Sequence, residues 1–159
     1  MHVRRYADVF PGAPANGNLR RAVEADLAFL VEWIEAFARE TGSLVVDSRA
    51  KAAELIRDES IYVWDDGEPR SMVAVAATTP HGARVAYVYT PAPFRGRGYA
   101  TIAVASLSDR LLQGGRRFCF LYTDLSNPIS NAIYGRTGYE PVCDVVDVNF
   151  SSPGPRPAD

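Results

Sequence analysis

Lysine is nearly missing from this chain of 159 residues: of 17 basic residues only Lys51 is a lysine, and the rest are arginines. Histidine is as scarce, with His2 and His81 alone, which argues against a histidine-built metal centre. The two cysteines, Cys119 and Cys143, form no Cys-x-x-Cys pair, so neither a disulfide framework nor a zinc site is indicated. Cys119 lies in an apolar run and reads as a small core residue. No apolar stretch approaches the roughly 18 residues of a membrane span, and the N-terminus carries no apolar segment of secretory type. A cytoplasmic location without membrane contact is the default expectation. The net charge of −2 lacks the basic excess of nucleic-acid binders. Arginine in place of lysine, beside many alanines, fits a GC-rich bacterial coding sequence.

What is present suits one globular domain, with 47% hydrophobic and 23% charged residues. Residues 1–17, with Pro11, Gly12, Pro14 and Gly17, read as a flexible arm or linker. Residues 151–159, with three prolines, read as a disordered tail. The folded unit is expected at 18–150. A short strand at 19–23 precedes a helix at 26–40, where Leu27, Leu30, Val31 and Ile34 recur at helical spacing. A second helix is expected at 47–59, capped by Asp47 or Ser48. Strands at 61–64, 71–78 and 84–90 are joined by Asp65-Asp66-Gly67-Glu68 and Pro80-His81-Gly82, which predicts an antiparallel meander. Strict alternation along 84–90 would set Val85, Tyr87 and Tyr89 against Ala86, Val88 and Thr90. A helix at 99–113 ends at Gly114-Gly115. An apolar strand follows at 118–123, then a short helix capped by Asn127 with Pro128 at its first position. One or two strands are expected within 139–150. The order β-α-α-β-β-β-α-β-α-β describes an α/β (α+β) mixed sheet with helices on both faces.

Phe94-Arg95-Gly96-Arg97-Gly98-Tyr99-Ala100 joins a strand to a helix. The first N–H groups of a helix lack partners and carry a partial positive charge. Glycines at 96 and 98 let a bulky anion approach the backbone, and Arg95 and Arg97 can fork onto phosphate oxygens. Together these residues describe a pyrophosphate cradle. The P-loop signature is absent, and the third glycine of a dinucleotide fingerprint is replaced by Thr101. A second stretch runs Thr123-Asp124-Leu125-Ser126-Asn127-Pro128-Ile129-Ser130-Asn131-Ala132-Ile133-Tyr134. Asn127 and Asn131 suit an amide-bearing ligand arm. Tyr134, three residues after Asn131 on the same helix face, can donate a phenolic proton.

The two stretches in this order resemble the GNAT superfamily of N-acetyltransferases. The family motif Arg/Gln-x-x-Gly-x-Gly/Ala stands here as Arg95 to Ala100, and Gly138-Tyr139-Glu140-Pro141-Val142 also looks like the family. The resemblance implies acetyl-CoA as cosubstrate, its pyrophosphate on the amides of Arg97, Gly98, Tyr99, Ala100 and Thr101, with Arg95 near the same phosphates. It implies that the pantetheine arm adds like a strand along Val88, Tyr89 and Thr90, and that this strand splays from the one beginning near Phe118. Asn127 would meet the arm, Asn131 would lie close to it, and Tyr134 would protonate the departing thiolate.

The acceptor implied is a small-molecule or peptide amine attacking the thioester directly. A base is wanted, because an alkyl ammonium has a pKa near ~10.4. The stretch 83–90 holds no carboxylate, unlike many relatives, which leaves Asp124 and His81 as weak candidates. Phe29, Trp33 and Phe37 form an i, i+4, i+8 line that packs on the sheet, on a partner subunit in a homodimer, or beside the acceptor; Tyr87 and Tyr89 carry the same ambiguity. A non-catalytic acyl-CoA-binding module is the rival to the enzyme.

Overall fold

A computed structural model describes residues 2–3 and 16–146, and the remainder of the expected arm and tail lies outside them. The strands are β1 (His2–Val3), β2 (Asn18–Arg21), β3 (Ile61–Asp65), β4 (Pro69–Thr78), β5 (Gly82–Tyr89) and β6 (Phe118–Phe120). The helices are α1 (Leu27–Thr41), α2 (Ser48–Arg57), α3 (Tyr99–Gln113) and α4 (Pro128–Arg136). One sheet runs in the order β1-β6-β5-β4-β3-β2. Every neighbouring pair is antiparallel except β5 and β6, which α3 connects as a parallel crossover.

Each helix starts and stops where local chemistry directs it. Asp47 caps α2 by accepting from Ala50 N at 2.9 Å, and Asn127 caps α4 by accepting from Ser130 N at 3.1 Å. Gly42, left-handed at φ 67°, ends α1. Two cores follow from the two faces of the sheet. Leu30, Ile34, Ala52, Leu55, Ile61, Val63, Met72 and Ala74 pack under α1 and α2, whereas Val73, Val85, Val104, Leu107 and Cys119 pack under α3. Cys119 is fully buried, as expected of a core residue, and burial pushes its thiol up to about 11.

Asp26 ties β2 to α1. Its carboxylate accepts from Arg20 at 2.6 Å and from Val23 N at 2.8 Å, and Arg20 also reaches Asp65 at 2.8 Å.

The alternation expected along 84–90 fails. Met72 pairs with Tyr89 but Ala74 with Ala86, so two residues of β5 oppose Val73 alone. Tyr87 takes φ 51° to make this bulge. A one-residue bulge reverses every side chain beyond it. Val85 therefore faces α3, while Tyr87 and Tyr89 face α1. Of the one or two strands expected within 139–150, the described residues 139–146 hold one bridge residue, Glu140, and the rest of that stretch lies outside the described residues. The outer edge of β6 is taken by β1 through His2↔Phe120 and Val3↔Cys119. Part of the expected arm is thus in the sheet.

Candidate active site

The ladder between β5 and β6 runs Gly82↔Phe118, Ala83↔Cys119, Arg84↔Phe120 and stops. Beyond Arg84 the two chains part, as the sequence resemblance implied. Past the end of β5 lies a cleft of about 720 Å³, a size suited to a small-molecule ligand. Val88, Tyr89 and Thr90 form one wall, the turn 95–101 a second, and α4 a third through Asn127, Ile133 and Tyr134.

The turn is built as a cradle. Gly96 and Gly98 have φ of 75° and 82°, the left-handed region that glycine enters without penalty. Nothing lies within 4 Å of a Cβ placed on Gly96, so the backbone there is open. Gly98 caps α3 with no side-chain bond, and α3 is 15 residues long. Its first N–H groups, at Tyr99, Ala100 and Thr101, are offered to the cleft rather than to a capping side chain. The side chain of Tyr99 points elsewhere: its hydroxyl donates to Asp66 at 2.7 Å, pinning the start of α3 to the β3–β4 hairpin. Arg97 lines the cleft with no hydrogen-bond or ion-pair partner among the described residues.

Arg95 lines the cleft too, but its guanidinium is already engaged. It donates to Thr90 O at 2.8 Å and to both carboxylate oxygens of Glu40 at 2.8 Å, and it lies 5.5 Å over the Tyr89 ring. The first hydrogen bond, to Glu40, holds its pKa further up. A hydroxyl relay stiffens the same corner, from Thr90 Oγ1 to Ser71 Oγ and on to Tyr89 O, each at 2.9 Å.

Tyr134 is 9% exposed, and its hydroxyl has no protein partner among the described residues. Burial alone pushes its pKa up to about 12, so it stays a protonated donor at neutral pH. Asn127 is on the cleft wall, with its side-chain oxygen occupied as the helix cap. Asn131 is not among the lining residues. Its amide donates to Asp124 O at 3.1 Å and Leu125 O at 3.3 Å, fixing the loop before α4.

Neither weak base candidate reaches this cleft. The Asp124 carboxylate accepts from Ser126 N and Oγ, which hold its pKa down. His81 precedes β5, at the opposite end of that strand from the cleft. The line Phe29, Trp33, Phe37 packs on the sheet: Trp33 is 6.3 Å from Tyr89 and Phe37 5.5 Å from Tyr87. Phe37 also lines the cleft, so the line meets both the sheet and the site wall. Glu40, Thr41 and Arg136 line the cleft without having been anticipated. Arg136 was findable, since it follows Tyr134 on the same short helix. Glu40 was not, because its partner lies 55 residues away.

A comparison with curated proteins finds no match. Among solved structures, the aminoglycoside acetyltransferase AAC(6')-Iy with a bisubstrate analogue shares 15% identity. That match covers 87% of this chain and 100% of the other, at TM-score 0.65. A protein of Clostridium acetobutylicum, described as a predicted acetyltransferase and solved with acetyl-CoA, shares 15% over 84% of this chain and 96% of its own, at TM-score 0.65. A GCN5-related N-acetyltransferase of Ralstonia eutropha JMP134 shares 18% over 84% and 99%, at TM-score 0.64. At such identities the likeness is one of fold. Residues 27–139, from α1 to the end of the cleft-forming segment, match the family model of the Acetyltransferase (GNAT) family, and the chain belongs to that family.

Proposed function

We propose that the protein is an acetyl-CoA-dependent N-acetyltransferase acting on a primary amine, with residues 18–150 as the catalytic unit working in the cytoplasm. The observation that carries this reading is the uncapped N-terminus of α3 opening onto a cleft that also holds the buried phenol of Tyr134. Two phosphates suit a set of backbone donors that no side chain occupies, with Arg97 as the available cation. An amide-bearing arm suits the strand edge at Val88, Tyr89 and Thr90, which has no ladder partner beyond Arg84.

In this reading the amine nitrogen attacks the thioester carbon, and the carbonyl oxygen gains negative charge beside a backbone N–H at the Tyr87–Val88 bulge. The carbon–sulfur bond then breaks. The thiolate takes the Tyr134 proton, and the phenolate is restored by the proton that the attacking nitrogen sheds on becoming an amide, leaving CoA and the N-acetylated product. Burial keeps the Tyr134 phenol protonated at neutral pH, so a proton is in place as the carbon–sulfur bond breaks. The ammonium proton of the acceptor leaves to water through the cleft mouth, because the one carboxylate among the lining residues, Glu40, is engaged by Arg95.

Calorimetric titration with acetyl-CoA, CoA and ADP tests the proposal. One-to-one binding of acetyl-CoA and CoA, both well ahead of ADP, is expected. Failure of folded protein to bind either would overturn it.

A further inference from the structure

The face of the sheet under α1 and α2 continues beyond them onto β6. Register puts Phe118 beside Gly82 and Phe120 beside Arg84, on the same face as Ala86. The Phe118 ring lies over Gly82, where a Cβ would meet it at 2.4 Å. Phe118, Phe120 and Tyr122 form an aromatic ladder with ring spacings of 6.2 and 6.3 Å. Tyr122 is 60% exposed, so the ladder is not sealed by a helix.

Arg84 stands at the apex where β5 and β6 part. Its guanidinium lies 5.5 Å over the ring of Tyr122, two residues beyond its ladder partner Phe120. Its Nε is buried without a hydrogen-bond partner, and it has no carboxylate among the described residues. A buried guanidinium donor left unmatched carries a desolvation penalty that a bound acceptor would remove. The fork of a stacked arginine matches a planar carboxylate.

Resting on the transferase reading above, we infer that Arg84 binds the carboxylate of the acceptor. The acceptor is then an amine of amino-acid or short-peptide type, with an apolar side chain lying on the Phe118–Phe120–Tyr122 ladder. A polycationic acceptor is disfavoured, since it would bring like charge to Arg84.

The test uses product analogues, so it does not wait on turnover. Protein, with and without CoA, is titrated with N-acetylphenylalanine, its C-terminal amide and N-acetylalanylphenylalanine. At least one acid is expected to bind about tenfold or more ahead of the amide. Which acid binds better distinguishes a free amino acid from a peptide end. Arg84→Gln should erase the preference, and Arg84→Lys should keep part of it, with CoA affinity reporting that both variants are folded. Equal binding of acid and amide, or no binding of any analogue, overturns the inference. CoA binding with acid–amide parity sinks this inference alone; acid binding without CoA binding sinks the transferase reading instead.

Discussion

Replacing Tyr134 with phenylalanine should separate chemistry from folding. The hydroxyl has no protein partner among the described residues, so its removal strands no donor or acceptor. The ring stays to pack 6.0 Å from Tyr139. At neutral pH the stability change should therefore lie within about 0.5 kcal/mol, as for a change that leaves no group unsatisfied. Above pH 10 the sign is fixed by the folded pKa of about 12 against an ordinary value of 10. The wild-type phenol favours folding fully below 10 and loses that contribution as pH rises toward 12, a span of about 2.7 kcal/mol for two pKa units. Near pH 11 the variant should accordingly be the more stable by about 1.4 kcal/mol. Turnover should fall about a hundredfold or more, the scale of losing a general acid, with acetyl-CoA affinity unchanged. Denaturant titration at two pH values, calorimetry and thiol-release kinetics check the three limbs. Undiminished turnover would refute the acid role, and a loss of affinity equal to the loss of turnover would reassign Tyr134 to binding.

Three further outcomes are expected. Gly98→Ala places a Cβ at φ 82°, costing about 1–2 kcal/mol of backbone strain and weakening acetyl-CoA about tenfold or more in calorimetry by narrowing the cradle. Glu40→Gln releases Arg95 and removes a negative charge from the cleft wall. At roughly 6 Å in water such a charge is worth about 0.7 kcal/mol, so acetyl-CoA affinity should rise about threefold, and less so in high salt. Asp26→Asn should lower stability by about 2–3 kcal/mol in urea melts by leaving Arg20 with Asp65 alone. Burial pushes the Asp26 carboxyl up, but Arg20 and Val23 N–H outweigh it and hold it below the usual range. Its contribution is thus present above pH ~4 and fades as pH falls through the folded value, so the variant should show a flatter acid limb.

The parts of the molecule legible in the sequence were those written by local chemistry. The α3 boundaries followed from an apolar stripe between Gly98 and Gly114, and the α4 cap from Asn127-Pro128. The open turn before α3 was legible because Gly96 and Gly98 stand two residues apart just ahead of an apolar helical stripe. What stayed hidden depended on residues distant in sequence. Glu40 reads as one more acid on a helix until Arg95 is folded against it. The bulge at Tyr87–Val88 has no glycine to announce it, so strict alternation grouped Val85 with Tyr87 and Tyr89. The pairing of His2 and Val3 with β6 stayed hidden because nothing in residues 1–17 signals it, and they read as an arm.

The bulge also explains why the reacting groups gather where they do. Up to Arg84, β5 is held on both sides, by β4 and by β6. Past it, the extra residue bends the chain, and the hydrogen-bonding edge facing β6 is left unmatched. In the interior of a sheet such an edge is costly unless something polar fills it. Here it borders the cleft that also receives the N–H groups of α3 and the Tyr134 phenol. The same bulge turns Tyr87 and Tyr89 together toward Phe37 and Trp33, and α1 borders the cleft through Phe37, Glu40 and Thr41. A single inserted residue in β5 thus both frees the strand edge that borders the cleft and decides which side chains face α1.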